Sequence, residues 1–300
     1  MAIATRHALA QAKWDNLAAT WVDTGPPASP STQDIANYRM LLEQALGHRR
    51  TGNLVILGST PKLRDLLASE PFLGFNVLCV DFSAKMYTQM SAAVGHPNPR
   101  ETFHLEDWCT FRAAGAEYDA ILGDKCIDNV MPEDWDAFFS NVHYHLRPGG
   151  AFIVHLALAD SRFQGVPLRD ALAKWSDRLH SKQDSLRNAA AGFWEDLLTA
   201  SAFKNGYHNT VTTSRFADEV EEALSHEAEL DTHAQQLLHE FFRVFWPSRD
   251  DLWSSYQYAE IIERMSPYFF HERTLYSADY DVAPVQPLVL MRARSRPLHS

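Results

Sequence analysis

The sequence contains few cysteines and no long hydrophobic run. Its three cysteines, Cys79, Cys109 and Cys126, form no C-x-x-C pair, and an odd number cannot all close as intramolecular disulfides. We therefore expect a reduced, cytoplasmic protein. The longest apolar stretch, residues 151–159, is interrupted by His155 and is far shorter than the roughly 20 residues of a membrane span. The N-terminal segment lacks the apolar run of a signal peptide, so no membrane partner is predicted.

Basic residues are also scarce relative to acidic ones. The chain has 27 Lys and Arg against 38 Asp and Glu, a net charge of −11, and its densest basic cluster is His48-Arg49-Arg50. Because nucleic-acid binding requires a basic face, no nucleic-acid partner is predicted. The 14 histidines form no H-E-x-x-H pair, so no metal site is predicted. The absence of G-x-S-x-G and of a P-loop leaves serine hydrolases and nucleoside triphosphatases unsupported.

Short apolar runs alternate with helical patterns from residue 53 onwards. Buried strands are predicted at 54–57, 76–80, 101–105, 119–122 and 151–156. A helix at 252–265 is then followed by two more strands, at 268–276 and 287–293, which would close the sheet as an antiparallel pair. This order predicts an α/β fold with a Rossmann-like, doubly wound, mostly parallel seven-stranded sheet.

Composition divides the chain into three parts. Three prolines within residues 25–30 separate two N-terminal helices, the second capped by Ser31, and strand patterns are absent between about residues 160 and 247. We predict an N-terminal helical extension (1–50), a core (51–159 and 250–300) and a helical insertion (160–249). The chain leaves the fifth strand beside the carboxyl ends of its neighbours, so the insertion is expected to cover those ends as a substrate lobe.

Several candidate site residues follow the predicted strands directly. Gly58 ends the first strand and permits close approach of a ligand to the backbone. Asp81 comes 23 residues later, near the spacing at which an acid binds a ribose diol. After the third strand, Asp107 could accept a hydrogen bond from an exocyclic amine, and the ring of Trp108 could lie against adenine. Asp124, at the end of the fourth strand, would face an amino group or a sulfonium.

Two further residues have competing interpretations. Trp21 either packs between the N-terminal helices or closes over the ligand. His155, at the end of the fifth strand, is a weak candidate for a general base, and a packed histidine is the alternative.

Acidic acceptors without a phosphate-binding loop indicate a nucleoside that carries no phosphates.

Five motifs carry a resemblance to a known family. They are LGSTPKL at 57–63, VDFS at 80–83, EDW at 106–108, YDAILGD at 118–124 and LRPGG at 146–150. Their order and spacing resemble the class I S-adenosylmethionine-dependent methyltransferases over about residues 50–157, and the segment from Trp21 to Ser31 resembles a bacterial small-molecule branch. The family's G-x-G-x-G loop is reduced here to Gly58-Ser59-Thr60-Pro61, as in that branch.

The resemblance implies S-adenosylmethionine as cofactor and S-adenosylhomocysteine as product. It also implies cofactor contacts from Ser59, Thr60 and Pro61 of the reduced loop and from Phe82 and Met86 after the second strand. Methyl transfer to a small molecule, for example one of specialised metabolism, is the leading hypothesis. One alternative is a nicotinamide-dependent oxidoreductase, but the G-x-G-x-x-G turn that binds the pyrophosphate of a dinucleotide is missing here. The other alternative is a non-catalytic S-adenosylmethionine-binding partner protein. The sequence identifies neither the acceptor nor the oligomeric state.

Overall fold

Two helices precede the first strand. The computed structural model describes residues 3–113, 117–159, 167–203, 207–226, 229–245 and 251–295. Helix α1 spans Ile3–Trp21 and helix α2 spans Thr32–Leu46. The predicted cap of α2 is present, because the Ser31 side chain accepts from the Asp34 backbone N–H and the Asp34 carboxylate accepts from the Ser31 N–H.

The central sheet has the predicted seven strands. In chain order they are β1 (Gly52–Leu57), β2 (Phe75–Asp81), β3 (Glu101–Leu105), β4 (Tyr118–Asp124), β5 (Leu146–His155), β8 (Phe269–Leu275) and β9 (Leu288–Ala293). Their order across the sheet is β3-β2-β1-β4-β5-β9-β8. The first five are parallel, and β9 runs antiparallel to both β5 and β8. The predicted fold class is therefore confirmed.

Both faces of the sheet are buried under helices. Along β1, Leu54 and Ile56 belong to one hydrophobic core, whereas Val55 and Leu57 belong to the other. This alternation follows from the two-residue period of a strand. Helices α2 and α3 (Pro61–Leu67) contribute to the first core, and helices α5 (Trp135–His145) and α10 (Tyr258–Met265) to the second. Helix α4 spans Ala84–Ser91, and the side chain of its predicted N-cap, Ser83, accepts from the Met86 N–H.

A helical lobe lies between β5 and α10. Its helices are α6 (Leu168–His180), α7 (Leu186–Phe203), α8 (Ser214–Ser225) and α9 (Thr232–Val244), and they enclose a third core, which includes Trp175, Trp194 and Phe241. Asp160 and Pro247, which bracket the predicted strand-free stretch, lie outside the described residues.

The lobe also contains two short strands that the sequence pattern does not predict. Strands β6 (Thr210–Thr212) and β7 (Leu252–Ser254) pair antiparallel, and Trp253 of β7 belongs to the lobe core. The helix predicted at 252–265 therefore begins only at Tyr258. A strand of three residues is too short to show a period, which is why the prediction was wrong at this point.

Helices α6 and α7 approach closely at Gly192. A Cβ built on Gly192 would lie 2.0 Å from the Trp175 ring. That ring is fixed, because its indole N–H donates to Asp196 at 2.7 Å. The small residues Ala189, Ala190 and Ala191 precede this contact and are fully buried. Helices α6 and α7 therefore pack closely against each other at this point.

The described ranges contain neither a candidate membrane span nor a candidate metal site. Within them, no helix combines the length and the apolar character needed to cross a bilayer. They likewise hold no group of three or more His, Cys, Asp or Glu side chains arranged to bind a metal ion.

Candidate functional site

The loop after β1 has a backbone conformation that favours glycine. Gly58 has φ +97°, and a Cβ at this position would meet only the Trp108 ring, at an ordinary contact distance of 3.8 Å. Glycine is therefore required by the backbone angle rather than by lack of space. The Gly58 N–H donates to Val80 O at 2.8 Å, which ties the loop to the end of β2.

Asp81 is the last residue of β2 and is almost completely buried. The sequence pattern places it just beyond the strand, but the structure includes it in the ladder with β3. Its Oδ2 accepts from the Ser59 hydroxyl at 2.6 Å, and its Oδ1 accepts from the Ser83 N–H at 3.0 Å. Burial raises the pKa of Asp81 to about 6, although both hydrogen bonds act in the opposite direction. The fold thus holds a carboxylate at a strand end with little water around it.

Asp124, at the end of β4, is held by a buried histidine. Its Oδ1 lies 2.9 Å from His155 Nδ1, and His155 Nε2 lies 3.0 Å from Gln286 O. Both ring nitrogens lie within hydrogen-bond distance of an oxygen, and the Tyr280 hydroxyl is also 3.4 Å from Nε2. A second acid, Asp34 of α2, lies 3.8 Å from His155 Nε2.

The surroundings of Asp34 favour its carboxylate form. Burial acts to raise the pKa of Asp34, but the charge of His155 and hydrogen bonds from Ser277 and Ser31 hold it below its usual value. His155 is fully buried and does not line the cavity described below. In the structure it orients Asp124 rather than facing a ligand.

A cavity of about 290 Å³ lies at the carboxyl ends of the strands. Its size is near the lower end for small-molecule sites. Ten of the residues selected from the sequence line it: Trp21, Gly58, Ser59, Thr60, Pro61, Asp81, Phe82, Met86, Trp108 and Asp124. Asp107 does not; its Oδ1 accepts from the Cys109 N–H at 2.7 Å.

The aromatic residues of this wall are held in place by the fold. Trp108 donates its indole N–H to Val80 O at 2.7 Å, and its ring packs against Phe82. Trp21 contacts Trp14 edge to face, with ring centroids 4.9 Å apart. Trp14 in turn donates to Asn129 Oδ1 at 2.9 Å, which joins α1 to the loop after β4. Residues far apart in sequence therefore form one continuous wall.

Sequence reasoning missed the part of the cavity that faces the lobe. This lobe-side pocket is lined by Trp14, Lys125, Asp128, Trp194, Glu195 and Trp253. The backbone of Lys125 has φ +49°, a conformation that is uncommon for residues other than glycine and asparagine. The Lys125 ammonium lies 3.1 Å from Glu195 Oε1. An ion pair therefore links the loop after β4 to α7 of the lobe. The unusual backbone angle of Lys125 is the local feature that marks this part of the cavity, and it cannot be read from a sequence pattern.

Comparison with known proteins agrees with this geometry. Residues 63–150 match a family model described as a methyltransferase domain. Residues 63–150 are thus similar to a methyltransferase domain, and the seven-stranded sheet has the class I fold. The match includes Asp81 and Asp124, whereas α1, α2 and the lobe lie outside it. No curated protein matches the sequence closely enough to name a relative.

Solved structures resemble the chain well beyond the methyltransferase domain. The CcbJ methyltransferase of Streptomyces caelestis has a TM-score of 0.56 at 12% identity, covering 95% of this chain and 99% of the other. A Burkholderia thailandensis 1,6-didemethyltoxoflavin-N1-methyltransferase has a TM-score of 0.53 at 12% identity, covering 98% and 92%. A Rhodobacter sphaeroides structure described as a putative Zn-dependent alcohol dehydrogenase has a TM-score of 0.58 at 15% identity, covering 96% and 98%. Because the sequence identities are so low, these similarities show that the shared fold includes the lobe, but they do not show the activity of this chain.

Proposed function

We propose that the protein transfers a methyl group from S-adenosylmethionine to a small-molecule acceptor in the cytoplasm. One observation carries the choice of cofactor: the described cavity wall has five acidic side chains and two basic ones. The acids are Asp65, Asp81, Asp124, Asp128 and Glu195, and the bases are Lys62 and Lys125. Such a wall suits a ligand with a sulfonium and an ammonium group and opposes a pyrophosphate.

The residues present fit this cofactor. Asp81 offers a buried carboxylate that can accept hydrogen bonds from the ribose hydroxyls, and Gly58 allows the backbone to lie close to the ligand. Trp108 offers a ring for adenine, and Asp124, fixed by His155, can receive the amino group or face the sulfonium. The bound cofactor supplies an activated methyl group. The protein then has to place the acceptor in line and exclude water.

The division of labour follows from the same cavity. We propose that residues 51–159 and most of 250–300 hold the cofactor, that the lobe within 160–249 covers the acceptor, and that α1 closes the side through Trp14 and Trp21. Lobe residues Trp194 and Glu195 line the same cavity as the strand-end acids, which supports this assignment. The net charge of −11 is a further reason to propose a small molecule rather than a nucleic acid as acceptor.

We expect S-adenosylhomocysteine to bind with one site per chain and NADH and NADPH not to bind. Isothermal titration calorimetry with these three ligands measures the difference directly. Tighter binding of a nicotinamide dinucleotide would contradict the proposal and favour the oxidoreductase alternative. Binding of S-adenosylmethionine without methyl transfer to any member of a broad acceptor panel would favour a non-catalytic binding protein.

The affinity for S-adenosylhomocysteine should also depend on pH through Asp81. The charged carboxylate accepts hydrogen bonds from the ribose hydroxyls, and its pKa of about 6 means that it becomes protonated below that pH. We expect a constant Kd above about pH 7 and a weakening that approaches tenfold per pH unit below about pH 6. Calorimetry from pH 5 to pH 8 checks this. The variant Asp81→Asn should have a flatter profile, and a wild-type Kd independent of pH would contradict the assigned role.

A further inference from the structure

The lobe-side pocket contains one carboxyl group whose surroundings differ from those of the other acids in the cavity. Asp81 accepts from Ser59 and Ser83, and Asp124 is held by His155. Glu195 forms an ion pair with Lys125, and Asp65 accepts from the His96 N–H. Asp128 accepts from the Tyr256 hydroxyl and, unlike Glu195 beside it in the lobe-side pocket, is in no ion pair within the described part of the chain.

The hydrogen bonds around Tyr256 fix the orientation of Asp128. The Ala157 N–H donates to the Tyr256 hydroxyl oxygen at 3.3 Å, so the hydroxyl proton is directed to Asp128 Oδ1. Tyr256 is fully buried, whereas Asp128 lines the cavity. One carboxyl oxygen is thus anchored in the protein, at a residue that lines the cavity.

Asp128 is also suited to exchange a proton near neutral pH. Burial raises its pKa to about 7, and the hydrogen bond from Tyr256 and the charge of Lys125 only partly oppose this. A general base works best when its pKa lies near the working pH. Lys125, which lines the same pocket, supplies a positive charge that would stabilise an oxyanion.

The walls of the pocket indicate the shape of the acceptor. Trp194 and Trp253 meet edge to face with ring centroids 5.5 Å apart, and Trp14 contacts Trp253 at 6.1 Å. The Lys13 ammonium lies 3.6 Å from the Trp253 ring centroid, on its face. Three indoles that contact one another therefore line the pocket, and aromatic side chains favour a planar aromatic ligand.

We propose that the acceptor is a planar phenol that binds among these indoles, and that Asp128 accepts its hydroxyl proton. This assignment rests on the proposed methyl transfer. In the reaction the phenol oxygen forms a bond to the methyl carbon and the carbon–sulfur bond breaks, leaving its electron pair on sulfur. The hydroxyl proton passes to the Asp128 carboxylate and from there to solvent, so no other reactant is needed.

The probe that tests the proposal is 7-hydroxycoumarin, with 7-methoxycoumarin as the analogue that has no proton to give. With the protein saturated in S-adenosylhomocysteine, we expect 7-hydroxycoumarin to bind at least tenfold more tightly than 7-methoxycoumarin. In Asp128→Asn this preference should vanish while the Kd for S-adenosylhomocysteine stays within about twofold. That unchanged Kd also demonstrates that the variant is folded.

Kinetics with S-adenosylmethionine give a second readout. We expect kcat for methylation of 7-hydroxycoumarin to fall about 100-fold or more in Asp128→Asn, since general bases contribute roughly 10²–10⁴-fold. The variant's rate should rise with pH until the phenol ionises in solution, whereas the wild-type rate should level off once Asp128 is ionised. The matched control Glu133→Gln removes the same charge from an exposed position outside the cavity and should behave as the wild type.

The outcomes are separable. Failure of S-adenosylhomocysteine to bind to the wild type would overturn the proposed function itself. Binding of S-adenosylhomocysteine without binding of 7-hydroxycoumarin would overturn the phenol acceptor alone. Wild-type kcat and pH profile in Asp128→Asn would overturn the role of Asp128.

Discussion

Replacing Asp81 by alanine is expected to weaken the binding of S-adenosylhomocysteine by two to four decades. A carboxylate that accepts hydrogen bonds from both hydroxyls of a ribose contributes roughly 1.5–3 kcal/mol for each charge-assisted bond. Each 1.4 kcal/mol corresponds to about a tenfold change in Kd. Titration calorimetry on the wild type and Asp81→Ala measures the change. Glu70→Gln, which removes a negative charge from an exposed position, is the control and should leave Kd unchanged.

The same residue should lower the stability of the ligand-free protein. Its folded pKa of about 6 lies above the ordinary value of 3.8, so the native state binds the proton more tightly than the unfolded state does. The resulting penalty is absent below about pH 4 and complete above about pH 6, with an upper bound near 3 kcal/mol. Asp81→Asn removes this penalty and keeps the side chain's shape.

We therefore expect Asp81→Asn to raise the melting temperature at pH 8 and not at pH 4, while it weakens ligand binding. Melting curves at the two pH values check this. If Asp81 only supported the start of α4, substitution would cost about 1 kcal/mol of stability and leave affinity almost unchanged. A lowered melting temperature with an unaltered Kd would therefore refute the ribose-binding role.

The second large effect is expected at His155. Replacing His155 by leucine removes the ring that lies between Asp34 and Asp124. Both carboxylates are almost completely buried. Leaving a buried carboxylate without its partner typically costs about 3–5 kcal/mol. We expect the free energy of unfolding at pH 7 to fall by about that amount, as measured by urea denaturation.

A double variant separates charge from packing. Adding Asp34→Asn to His155→Leu removes one uncompensated charge, so the pair should lose less stability than the sum of the two single changes. Additive losses, or a loss below about 1 kcal/mol for His155→Leu, would mean that the ring acts by packing alone. His155→Leu should also weaken S-adenosylhomocysteine binding, because Asp124 loses the contact that fixes it.

The proposed cofactor half of the site was predictable because the carboxyl ends of parallel strands lie at the same edge of the sheet. Asp81 and Asp124 follow apolar runs in the sequence, and pairing of both β2 and β4 with β1 brings them to one edge. The face on which His155 lies was also accessible from the two-residue period. His155 has the parity of Ala151 and Ile153, which pack in the core that contains residues of α2. Its proximity to Asp34, however, depends on how α2 is placed, and no local pattern specifies that.

The proposed acceptor half was not predictable for a different reason. Asp128 follows the end of β4 in a short loop, and nothing in its neighbours indicates that Tyr256 will donate to it across the fold. Trp194 has the spacing of an ordinary core residue of α7, and Trp253 lies in a strand too short to recognise. Their shared position results from the packing of the lobe on the sheet.

The separate hydrophobic core of the lobe has a consequence for how such a protein can change its specificity over time. The tight contact of Gly192 with Trp175, and the aromatic cluster around Phe241, stabilise the lobe without using residues of the sheet. Substitutions at Trp194, Leu198 or Thr199 would therefore reshape the acceptor wall, while Gly58, Asp81 and Asp124 keep their supports in the strands. Under the proposed function, acceptor range can therefore diverge among descendants of one ancestor while the proposed methyl-donor site keeps its supports.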